Sequence, residues 1–328
     1  MEKSKNKKIA DFLINNGVII VMFVLVIYTG LTSNNFLTPN NLLNILTNMS
    51  YRLVIALGIA GCVITAGCDL SAGRMIGFGA CIAGTLLQKI DYSNKFFPGM
   101  EPLNPFLVLV IVMLITAAFG SVTGFFIAYL NVPPFIATLA MMEIIYGLGL
   151  IYTGATPLGG YTPAYTGIST KILGVSGLVW IALIMAGITW FIFNMTRHGK
   201  YMYAIGGNPQ AAEVAGVPVK PTMVMIYAKA AAMYGLAGYM LGAKAGGASV
   251  NTGLSYEMEA IAACTIGGVS VTGGRGKVSS AIIGVAVFEL LKAALQYLGV
   301  DANAQYIFIG LVIFVAISLD IRKYVAKK

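Results

Sequence analysis

The side chains able to do chemistry in this chain are few and scattered. His198 is the single histidine, so a histidine-built metal site or proton relay lacks its second member, and no metal is expected. Cys62, Cys68, Cys81 and Cys264 fall in apolar runs without Cys-x-x-Cys spacing, the pattern of small packing residues. There is no nucleophile elbow and no phosphate-cradling Gly-x-x-x-x-Gly-Lys-Ser/Thr, which argues against an ATP site of the chain's own. An enzyme would also lack a clustered nucleophile and base. What remains is charge in hydrocarbon surroundings. Glu143, Lys229, Glu289 and Lys292 lie inside apolar runs, where a charge costs about 2.5 to 3.5 kcal/mol. Glu289 and Lys292, three apart on one helix, are expected to pair locally; Glu143 and Lys229, on different runs, could pair across a bundle. Glu143 is also the carboxylate that a proton-coupled sugar or amino-acid carrier would use. Glu257 and Glu259 open one apolar run near the outer surface, and Asp69 closes another near the inner one.

One polar stretch is punctuated more fully than any other. Within residues 203–219, Asn208 suits an N-cap, Pro209 the first helical position, Gly216 the left-handed stop and Pro218 the block beyond it. The intervening residues make roughly two turns, well under the ~12 residues that give an isolated helix even marginal stability. Such a helix must lean on something, either a groove on a partner or its own neighbours.

The elements that position these residues are hydrophobic. The chain has 328 residues, 58% apolar and 10% charged, with a mean hydropathy of +0.83, so it reads as an all-α polytopic membrane protein with one transmembrane domain over 1–328. Apolar runs at 12–31, 42–66, 75–87, 106–130, 135–152, 178–193, 223–242, 258–271, 278–298 and 306–321 suggest about ten spans. The first run lacks a small-x-small cleavage site and reads as a retained span.

Charge sets the orientation. With a cytoplasmic amino terminus (1–11), the inner side collects Lys3, Lys5, Lys7, Lys8, Arg74, Arg197, Lys200, Lys220, Arg275, Lys277, Arg322, Lys323, Lys327 and Lys328. Outside fall Lys89, Lys95, Lys171 and Lys244, which satisfies the positive-inside rule and puts 196–221 and the tail 322–328 in the cytoplasm. The same asymmetry explains the net charge of +9 without nucleic acid.

Glycine marks the breaks. Residues 67–74 align with 268–275, and duplicated, glycine-interrupted segments point to a transport pathway between repeats. Gly267-Gly268 and Gly273-Gly274 flank a very short run and suggest a broken helix. Gly120, Gly124, Gly147, Gly149, Gly235, Gly238 and Gly242 permit close helix packing. Phe135, Tyr146 and Tyr161 could stack on a sugar ring, or anchor at the interface.

These residues together resemble a known family. Ala204-Ile205-Gly206-Gly207-Asn208-Pro209-Gln210-Ala211-Ala212-Glu213-Val214-Ala215-Gly216-Val217 is similar to the cytoplasmic coupling segment of bacterial sugar-importing ABC transporter permeases, the ribose and galactose branch. Asp69-Leu70-Ser71-Ala72-Gly73, and Ala260-Ile261-Ala262-Ala263 with the paired glycines, match two further signatures of that branch. Thr85-Leu86-Leu87-Gln88, Asp91, Asn94-Lys95, Phe97-Pro98 and Tyr256-Glu257 resemble its galactose and methyl-galactoside type. Cys68 departs from the pattern, standing where a small polar residue is expected.

The resemblance implies a type II importer-like permease of about ten spans in a bacterial plasma (inner) membrane, working as a homodimer with both termini cytoplasmic. It implies an ABC ATPase subunit with two nucleotide-binding modules, which would hold ATP and Mg, and an extracellular or periplasmic sugar-binding protein. Gly207, Asn208, Pro209, Ala211, Ala212, Glu213 and Gly216 would form the ATPase-coupling helix. Asp69, Ser71, Gly73 and Arg74 would lie at the inner end of the pathway, and Phe135, Thr138, Glu143, Gly267 and Gly268 complete the candidate pathway set.

Overall fold

The structure is a computed structural model that describes residues 20–325. The expected amino-terminal segment 1–11, the beginning of the first run and residues 326–328 of the tail lie outside the described residues.

In chain order the helices are α1 (Ile20–Thr32), α2 (Pro39–Ile64), α3 (Ala72–Leu86), α4 (Pro105–Tyr129) and α5 (Pro134–Thr153). A long connection follows, holding the single turn α6 (Pro163–Thr166) and a two-stranded antiparallel ribbon of β1 (Lys171–Ile172) and β2 (Val175–Ser176). The second half comprises α7 (Gly177–Met195), α8 (Arg197–Gly207), α9 (Pro209–Val214), α10 (Val219–Ala245), α11 (Tyr256–Ile266), α12 (Val278–Tyr297) and α13 (Ala302–Val325). Helix starts follow local chemistry. Pro39, Pro105 and Pro134 occupy first-turn positions that need no donor, and the Asn104 and Ser176 side chains accept from Phe106 N–H and Leu178 N–H.

Among the described residues, six helices (α2, α4, α5, α7, α10 and α12) are long and apolar enough to cross a membrane. Two of the expected ten runs are too short to do so. The run at 75–87 is the 15-residue α3, and the run at 258–271 is the 11-residue α11 followed by irregular backbone. At about 1.5 Å per residue, α11 covers roughly half of a ~30 Å hydrocarbon core.

The bundle is built around α10, which packs on α2, α3 and α4. The most apolar windows of α2 and α10 are 78% and 67% buried, against 28% for α4, α5 and α7, so the first two are central and the other three peripheral. Hydrocarbon tails are as apolar as leucine, so close backbone approach takes over from hydrophobic burial as the source of packing. Gly79 of α3 meets Gly235 of α10 backbone to backbone, and Gly120 and Gly124 of α4 lie against Tyr227 and Val224 of α10. Gly147, grouped with them by sequence, faces open space.

Candidate functional site

The punctuation around Asn208 produces the geometry it implies. Asn208 Oδ1 accepts from Ala211 N–H at 2.9 Å, and Pro209 opens α9. At the other end Gly216 adopts φ +83°, Val217 N–H donates to Ala212 C=O and Gly216 N–H to Glu213 C=O, both at 3.0 Å, which is a Schellman stop. The side chains divide sharply. Ala212 is buried against the chain's own bundle, whereas Gly207, Ala211, Glu213 and Val214 are exposed, Val214 at 91%. Of the two alanines, Ala212 seats the helix and Ala211 faces outward. Val214, absent from the expected set, is the most outward apolar side chain.

A second helix, missed in the sequence, carries α9. Residues 197–207 read as loop because Gly199, Gly206 and Gly207 lower helix propensity, yet they form α8 with Thr196 Oγ1 accepting from Gly199 N–H at 3.2 Å. The signal was the spacing of its buried side, Gly199, Met202, Ile205 and Gly206. Its last turn is locked onto the bundle. A Cβ at Gly206 would overlap the Ile64 carbonyl oxygen, which already accepts Gly274 N–H at 2.8 Å. Tyr203 Oη donates to Gly276 C=O at 2.8 Å. The end of α2, the 267–277 segment and the root of α9 thus form one contact.

The two aligned glycine segments also begin alike. α2 ends with Gly67 N–H on Cys62 C=O, and α11 ends with Val269 N–H on Cys264 C=O, each at 2.9 Å. Gly268 (φ +99°) is exposed, and a Cβ at Gly267 would overlap the Ser280 carbonyl of α12.

Asp69, Ser71 and Gly73 lie in a segment that packs against the beginning of α11. The sequence reading sets 67–74 on the inner side and 243–256 on the outer, but the two segments touch. A Cβ at Gly73 would collide with the Glu257 carboxylate, and Arg74 reaches Asn251 Oδ1 at 2.8 Å while lying 3.8 Å over the Tyr146 ring. Both segments fold back into the bundle, so α3 and α11 begin facing one another. Asp69 is 1% exposed, its Oδ1 accepting from Ser71 N–H (3.0 Å) and Oγ (2.6 Å). Thr138 of α5 is fully buried and donates to Cys68 C=O at 3.3 Å, which joins α5 to this junction.

The charges inside the spans pair differently from the expectation. Glu289 is bound by Arg52 at 2.6 Å rather than by Lys292, and Lys292 holds Glu259 at 2.8 Å. Arg52 also takes Glu259 at 2.6 Å, so four charges from α2, α11 and α12 neutralise one another inside the bundle. Glu143 is exposed on α5 and Lys229 lies elsewhere on α10, with no ion pair to either among the described residues. Of the aromatic candidates, Tyr161 is buried against Tyr165 and Tyr146 is covered by Arg74, while Phe135 is 57% exposed. Between the beginning of α2 and the end of α12 lies a cavity of about 720 Å³ whose lining includes Asn41, Asn44, Asn48, Lys244 and Gln296.

Residues 41–317 match the family described as the branched-chain amino acid transport system permease component. The chain belongs to that family. Among its relatives is the galactose/methyl galactoside import permease protein MglC of Escherichia coli K12, 41% identical with all of both chains covered. The MglC of Treponema pallidum is 37% identical over all of this chain and 66% of its own. The ribose import permease protein RbsC of Escherichia coli K12 is 33% identical over 93% of each. No solved structure matches the chain. As a permease family member with six long apolar helices, the chain is a multi-pass membrane protein.

Proposed function

We propose that the chain is the membrane subunit of an ATP-driven ABC importer for a monosaccharide, galactose or methyl galactoside, in a bacterial inner membrane. It acts as a type II permease of about ten membrane segments, of which α3 and α11 are too short to span alone, in a homodimer with both termini cytoplasmic. A separate ATPase with two nucleotide-binding modules binds ATP and Mg, and an extracellular or periplasmic binding protein delivers the sugar. The observation that carries this reading is α9, a self-capped helix of six residues that presents Ala211, Glu213 and Val214 outward from a fixed root. A protruding element of that size has no use within the bundle, and full-length identity to import permeases supports a motor as its partner. The amide-lined cavity at the far end of α2 offers the donors and acceptors that a hydroxyl-rich ligand takes.

Mechanically, closure of the ATPase pair displaces α9, and α8 passes the displacement to the end of α2 and to 267–277 through Gly206 and Tyr203. The spans then rock between outward and inward access. The test is Ala211→Arg with Val214→Arg, both exposed. The variant is expected to insert normally and to lose co-purification of the ATPase; a retained complex would overturn the docking role.

A further inference from the structure

A crevice on the flank of the bundle takes no part in the proposed coupling. It lies between α4 and α7, with α2 and α10 as floor and α8 closing one end, and has a volume of about 170 Å³. Met113, Met185 and Ile188 form its walls, and Ile188 is 46% exposed on the peripheral face of α7. Apart from Thr189, whose hydroxyl is spent on Met185 C=O at 2.7 Å, the polar groups lining it are Lys229 and His198. Lys229 makes no ion pair among the described residues, since every acid paired there belongs to the Arg52 and Lys292 cluster. A cation on a spanning helix, unpaired and surrounded by hydrocarbon, is complementary to an anion that itself carries hydrocarbon.

We infer that this crevice holds an anionic phospholipid, with an acyl chain between α4 and α7 and its phosphodiester on the Lys229 ammonium. His198 stands beside Lys229 as a ring N–H donor for a second phosphate oxygen. The occupant would wedge directly against α8 through His198 and Met202, the helix that carries α9, so the lipid acts on the segment that transmits motion.

The full chain, purified in a neutral detergent, would be titrated with phosphatidylglycerol, phosphatidylcholine or inorganic phosphate while its thermal midpoint is followed. Phosphatidylglycerol is expected to raise the midpoint by several degrees, phosphatidylcholine distinctly less, and phosphate not at all. Lys229→Met should bring the two lipids level, whereas Arg197→Gln, exposed at the start of α8, should leave the preference intact. Ile188→Trp, which fills the mouth from an exposed position, should lose the phosphatidylglycerol shift and guards against a folding defect in the lysine variant. Equal shifts by both lipids in the unaltered chain, a preference that survives Lys229→Met or Ile188→Trp, or a shift by phosphate alone would each overturn the assignment. The last would make the crevice a site for a small anion.

Discussion

Arg52 is the residue on which the interior electrostatics turn, because it is held by Glu259 and Glu289 at once while Lys292 holds Glu259 from the other side. Removing one member of a buried ion pair costs about 3–5 kcal/mol, most of it the penalty of an orphaned charge. Arg52→Met should destabilise the chain by about that amount in a reversible unfolding titration, and adding Glu289→Gln should restore part of the loss by removing the orphan. His198, outside the spans, gives a pH prediction. Burial, with a smaller contribution from Lys229, pushes it down to about 4 from an ordinary 6.5, so the unfolded chain takes up the proton first as pH falls. Stability rises with pH wherever the unfolded state binds more protons. The thermal midpoint should therefore fall as pH is lowered from about 6.5 to about 4, and His198→Gln should flatten that portion of the curve. The sequence marked Glu289 and Lys292 as charges in need of partners but joined them to each other. Their real partners are Arg52 for Glu289 and Glu259 for Lys292, and Glu259 looks superficial in a linear reading because α11 begins inside the bundle rather than at its edge.

α9 was legible because each of its boundaries is chemical: an amide cap, a proline start, a glycine stop. α8 was not, since its glycines serve close approach to Ile64 and Gly274, a need that only the neighbouring backbone reveals. The shortness of α11 was legible from the paired glycines that follow it, whereas its exact end at Ile266 was not, because the apolar sequence continues past that residue. The cap is worth testing alone. Asn208→Ala should cost about 1 kcal/mol and speed amide exchange across 210–214 while leaving α8 protected. Unchanged exchange in α9 would mean that contact through Ala212, rather than the Asn208 side chain, holds the helix.

At the scale of the molecule, the membrane class, the permease family and the protruding helix could all be read from composition and motif. The contact between Gly73 and Glu257, in segments assigned to opposite surfaces, could not, because pairing of distant segments leaves little trace in a single sequence. The central claim is that this chain moves sugar only when an external motor pushes on α9. Galactose uptake into proteoliposomes tests it most directly, with the chain reconstituted alone or together with its ATPase and binding protein. The account predicts uptake that requires ATP and both partners and that disappears in the Ala211→Arg, Val214→Arg variant. Uptake by the chain alone, driven by a proton gradient, would contradict it.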